Sequence, residues 1–134
     1  MNRKLSRSFY RAILGLRVGF IETNFKRHLV SSVITLAISV YYRLPRLEFA
    51  VIVLCIFLVL SAELFNTSIE RLAKRRDEPR EALDVASAAV LTISLGSLAV
   101  GLIILVPRCL HDPWILIAGI VIIPILWYLM EGNG

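Results

Sequence analysis

No glycine occurs between Phe20 and Leu95. A phosphate-cradling loop needs closely spaced glycines so that backbone amides can approach the anion, so the P-loop architecture is excluded, and soluble-kinase motifs are equally missing. Cysteine is scarce too: Cys55 sits inside an apolar run and Cys109 stands close to Pro107. Neither has metal-ligand or redox-motif spacing, and both read as passive. Charge is absent from Val85 to Val106. No basic stripe with interleaved aromatics is present, so nothing points to nucleic acid as a partner. Internal repeats and low-complexity tracts are also lacking.

What remains is apolar. Hydrophobic residues make up 57% of the 134, and the mean hydropathy is +0.76. That is too apolar for an ordinary soluble core of this size, so 1–134 reads as a single all-α integral membrane domain. The net charge of +5 is distributed unevenly: of 15 Lys and Arg, seven precede Leu29, five lie from Arg71 to Arg80, and the rest are Arg43, Arg46 and Arg108. By the positive-inside rule the N-terminus and the 71–80 loop are cytoplasmic, and the turns at 42–46 and 108–112 lie outside.

Apolar residues Leu5, Phe9, Ile13, Leu16 and Phe20 recur at helical spacing, with Arg3, Arg7 and Arg11 on another face. Residues 1–28 therefore read as an interfacial amphipathic region lying in the headgroup layer. The basic start before the apolar stretch, with Ala37-Ile38-Ser39, faintly resembles a cleavable leader, but 28 patterned residues are long for one. The first spanning candidate, 29–42, is short; Lys26 and Arg27 can snorkel at one end, and Tyr41 and Tyr42 can anchor at the other. Pro45 breaks the helix. A second spanning helix covers 47–73, and a third covers 80–106, opened by Asp77 or Glu78 before Pro79 and ended by Pro107. Small residues such as Ala86, Ser87, Gly96 and Gly101 suit its close packing against a neighbour. A last apolar run, 114–130, is a possible fourth span with Trp114, Trp127 and Tyr128 as anchors and Pro124 as a kink.

One face of the second helix stands out. Taking about 100° per residue from Glu63, Asn66 falls near −60°, Thr67 near +40°, Glu70 near −20° and Lys74 near +20°. Ionisable groups at membrane depth are costly, so carboxylates aligned there mark a candidate functional site. A purely structural alternative has Glu63 and Glu70 paired with arginines of neighbouring helices. Chemically the set suits phosphoryl transfer, in which one carboxylate takes a proton from an alcohol while others hold Mg²⁺ on nucleotide phosphates.

Glu63-x-x-Asn66-Thr67-x-Ile69-Glu70, followed by Asp84-x-x-Ser87-Ala88-Ala89-Val90-Leu91, resembles the small prokaryotic diacylglycerol kinase and undecaprenol kinase family. Gly15-Leu16-Arg17, then Glu22-x-Asn24-Phe25-Lys26-x-His28-Leu29, is similar to that family's segment before its first span, and Val100 to Pro107 also matches. The resemblance covers roughly Phe9 to Pro107. It implies a homotrimer in the bacterial inner membrane, with sites shared between protomers, that uses MgATP to phosphorylate the hydroxyl of diacylglycerol or undecaprenol at the cytoplasmic surface. By position, Glu63 is the implied general base and Glu22 and Glu70 the Mg²⁺ ligands. Asn66 and Asp84 would contact the nucleotide, and Arg17 and Ser87 the lipid. The His28 variant leans toward the polyprenol group.

Four departures stand beside the match. Lys74 occupies a position where the family has Asp, Leu83 replaces a Lys, the loop from Glu70 to Asp84 is short, and 114–130 is extra. Lys74 on the active face is positioned to replace the charge lost at Leu83. The rival reading is a non-catalytic relative, either a diverged bundle or a small membrane subunit of a larger complex.

Overall fold

The computed structural model describes residues 3–76 and 80–131, and every regular element among them is an α-helix. The order is α1 (Arg3–Gly19), α2 (Thr23–Tyr41), α3 (Arg46–Arg76), α4 (Arg80–Cys109) and α5 (Pro113–Glu131). The expected helix-start signal at Asp77, Glu78 and Pro79 lies outside the described residues. α3 and α4 form the most extensive pairing, α2 packs on α3, α5 leans on α2, and α1 touches α3.

Local chemistry sets the boundaries. α2 stops because Arg43 adopts φ 46°, with Leu44 N–H donating to Ser39 O at 3.1 Å and Arg43 N–H to Val40 O at 3.0 Å. This is a left-handed stop made without glycine, at a cost of about 1–2 kcal/mol. Pro45 then blocks continuation, and Phe49 N–H bonds Pro45 O at 3.0 Å as α3 begins. At Pro107 the expectation fails, because α4 runs on to Cys109 with the proline inside its last turn. The proline forgoes one bond to the carbonyl four residues back, and the helix resumes its pattern beyond it, with Leu110 N–H bonding Val106 O at 3.0 Å.

Polarity is arranged inside out. Glu63 is 3% exposed and Ser39 0%, whereas Leu47 is 77% and Ile103 74% exposed. An apolar exterior around a polar interior suits hydrocarbon, where lipid tails solvate the leucines and the polar groups must find partners within the protein. Two helices, over Arg46–Arg75 and Arg80–Cys109, are long and apolar enough to cross a membrane, and little of either apolar stretch is buried inside the protein. α2 and α5 are not among them. α2 starts at Thr23, earlier than the expected 29–42, and so takes in Asn24, Lys26, Arg27 and His28. Three of its hydroxyls are nevertheless satisfied internally: Ser32, Thr35 and Ser39 donate to the carbonyls of His28, Ser31 and Thr35 at 2.7, 2.9 and 2.7 Å. On α1, Phe9 and Ile13 stay exposed rather than packing on the bundle.

Candidate functional site

The candidate site is built where the α1–α2 elbow meets α3. Gly19, the last residue of α1, is buried. A Cβ there would lie 2.5 Å from Leu64 Cδ2, so the elbow packs directly against the Leu64 side chain of α3 beside Glu63. Phe25 plugs the elbow, 3% exposed, and stacks edge-on to Phe20 with ring centroids 5.5 Å apart. Between them Glu22 stands at the N-cap of α2 but makes no side-chain cap bond. Its carboxylate reaches across to α3 instead, where Arg71 Nη2 lies 2.8 Å from Oε1.

On α3, Glu63, Asn66 and Thr67 are buried at 3, 7 and 5% exposure. Asn66 Nδ2 donates to Glu70 Oε1 at 2.8 Å, while the buried Asn66 Oδ1 has no hydrogen-bond partner. Among the described residues no side chain hydrogen-bonds or ion-pairs with Glu63; the charges that act on it are those of Glu70 and Glu22. The structural alternative, in which Glu63 and Glu70 each pair with an arginine of a neighbouring helix, is therefore not what these residues form. Three carboxylates converge from two elements, with one cation, Arg71, held by Glu22.

The structure separates the expected residues into two groups. Glu22, Glu63, Asn66 and Glu70 come together. Lys74 is exposed, and the buried line along α3 continues through Ala73 instead. Arg17, Asp84 and Ser87 are exposed on their own helices, and none of them lines either of the two cavities described below. Sequence reasoning missed Arg71, whose ideal position is about 80° round the helix from Glu63, at the flank of the face rather than on it. Arg71 also lines, with Arg75, Thr67 and Gly15, a cleft of about 740 Å³ between α1 and α3. Apolar stems and guanidinium heads make that cleft suited to an anion with an apolar portion.

Among the described residues no group of three or more His, Cys, Asp or Glu side chains is placed to hold a metal by itself. That donor set fits Mg²⁺ better than a structural ion, since Mg²⁺ is commonly held by one or two carboxylates with substrate phosphates and water completing the shell. The orphaned Asn66 oxygen is a further hard donor at the same place.

A family model described as prokaryotic diacylglycerol kinase matches residues 10–105. No curated protein and no solved structure matches the chain.

Proposed function

We propose that this chain, which belongs to the prokaryotic diacylglycerol kinase family, is an ATP-dependent lipid kinase that phosphorylates a membrane lipid alcohol at the cytoplasmic surface. The observation that carries the reading is Glu63: a carboxylate 3% exposed on a helix long enough to span, with no side-chain hydrogen-bond partner among the described residues and two more carboxylates nearby. Such a group is costly to keep in place unless chemistry needs it.

In this reading Glu63 accepts the proton of the lipid hydroxyl as its oxygen bonds to the γ-phosphorus of ATP, and the bond from that phosphorus to the bridging oxygen breaks to leave ADP. Glu70 and Glu22 would hold Mg²⁺, with the free Asn66 oxygen facing the same region; when bound, the ion neutralises charge on the transferring phosphates. The Asn66 amide keeps Glu70 fixed at 2.8 Å. The arginine-lined cleft would take the nucleotide.

Asp84 and Ser87 are exposed on α4, an arrangement compatible with a homotrimer in which α4 of one subunit completes the site on another. α2, with three of its hydroxyls satisfied, would be a third span and α5 a fourth. α1 would lie on the inner face of the bacterial inner membrane, with the N-terminus cytoplasmic.

The test is transfer of γ-labelled phosphate from MgATP to extracted membrane lipids by the purified protein in bilayer discs. A labelled lipid phosphate is expected, and its formation should need Mg²⁺. No transfer to any polyprenol or diacylglycerol by a folded protein would overturn the reading in favour of a non-catalytic relative, the alternative that Lys74, Leu83 and the short loop suggest. Because Lys74 is exposed and makes no hydrogen bond or ion pair with a described side chain, Lys74→Ala should change the transfer rate by less than about twofold. A tenfold loss in the same assay would restore Lys74 to the active face.

A further inference from the structure

A second cavity, of about 370 Å³, lies between α2, α3, α4 and α5. α3 contributes Ile52, Cys55, Ile56 and Val59, which follow one another at helical spacing along a single face. Glu63 is the next residue on that face, one turn or about 6 Å beyond Val59. The cavity therefore continues the carboxylate site toward the bilayer centre.

Apolar side chains of α3 and α4 line it together with the polar His28, Ser31, Ser32, Thr35, Ser94 and Ser97. The hydroxyls of Ser32 and Thr35 are spent on their own helix, but the buried Ser94 Oγ has no hydrogen-bond partner. α5 supplies Trp127, whose ring lies 5.4 Å from the Arg27 guanidinium and is held over the cavity by that contact. α5 lies beyond the residues that the family model matches.

We infer that this cavity receives the hydrocarbon chain of the acceptor alcohol next to its hydroxyl, and that α5, through Trp127, restricts the acceptor to a lipid alcohol with one chain, a polyprenol rather than a diacylglycerol. The inference rests on the kinase reading for its ligand. Ligand cavities commonly span about 300–1,000 Å³, and this one lies at the low end, with room for the first part of one chain and not for two that leave adjacent carbons. Burial gives a chain little energy here, because the lipid it leaves is as apolar as the cavity. Shape and the unpaired Ser94 hydroxyl decide instead, so the cavity acts on which lipid is accepted more than on how tightly any lipid is held.

Two glycines of α4 make the test clean. Gly101 lines the cavity, and nothing lies within 4 Å of a Cβ built there, so Gly101→Leu fills the space without forcing the backbone. Gly96 is equally open, is exposed and does not line the cavity, so Gly96→Leu is the matched control. Wild type should phosphorylate a polyprenol at least about tenfold better than a diacylglycerol. Gly101→Leu should raise KM for the polyprenol by about tenfold or more, with KM for ATP unchanged, and Gly96→Leu should behave as wild type. Equal use of both lipids by wild type, or an unaltered polyprenol KM in Gly101→Leu, would overturn the inference.

Binding is read separately from turnover. Cys55 lines the cavity, and with Cys109→Ser it is the remaining thiol. Polyprenol should slow its alkylation by a small membrane-permeant maleimide, and diacylglycerol should not. Protection without phosphate transfer would keep the site and remove the kinase reading; transfer without protection would do the reverse.

Discussion

Glu63→Gln is expected to lower phosphate transfer by about 10²–10⁴-fold, the usual contribution of a positioned general base, while the protein becomes more stable rather than less. Stability should rise because Glu63 is 3% exposed and no described side chain hydrogen-bonds to it. Exchanging a lone buried carboxylate for a neutral amide of the same shape removes a desolvation penalty, on the order of 1–3 kcal/mol. Thermal unfolding followed by helix content in detergent reads the gain, and label transfer to lipid reads the loss. Opposite movement of the two quantities separates a catalytic carboxylate from a structural one. A residue that merely held helices together would lose both on substitution, and one without either role would move neither. Nucleotide binding should survive, since Glu70, Asn66 and the arginine-lined cleft are untouched.

Much of this site was legible in the sequence because a long uninterrupted helix obeys one period. Glu63, Asn66, Thr67 and Glu70 share a face on an ideal helix, and three of them are buried together in the structure. The extents of α3 and α4 followed from apolar runs and from Pro45. Burial is what the ideal helix does not give: toward the C-terminal end of α3 Ala73 is buried and Lys74 is exposed. Sequence could not show that Glu22 would reach across to Arg71, because that contact depends on how tightly the elbow at Gly19 folds against Leu64. Nor could it show that α4 would run two residues past Pro107, since a proline removes a single bond to the preceding turn and leaves the later ones to form. Asp84 and Ser87 were found by resemblance alone, and both are exposed on α4.

The Glu22–Arg71 pair leads to the second large effect. Its side chains are 37% and 45% exposed, so as a surface ion pair it contributes under about 1 kcal/mol to stability. Its consequence is positional: while Arg71 holds Glu22, Oε1 of the carboxylate and Nη2 of the guanidinium are engaged with each other rather than with a metal or a phosphate. Arrival of MgATP would replace one contact by two, carboxylate to metal and guanidinium to phosphate, with each charge kept paired. Arg71→Ala is therefore expected to raise KM for MgATP by about 10–100-fold, the loss of one charge-assisted bond of roughly 1.5–3 kcal/mol, and to lower the Mg²⁺ concentration needed for half-maximal rate, because Glu22 no longer has to be released. Arg71→Lys should recover part of the nucleotide affinity as a point charge without the two-pronged geometry. Glu22→Gln should act in the other direction on metal dependence, raising the Mg²⁺ requirement while leaving Arg71 free for the nucleotide. Thermal unfolding of all three should stay within about 1 kcal/mol of wild type. Equal loss of stability in Arg71→Ala and Glu22→Gln, with nucleotide and Mg²⁺ dependence unmoved, would make the pair a structural clasp, and the arginine-lined cleft would then need another reason to carry its charge.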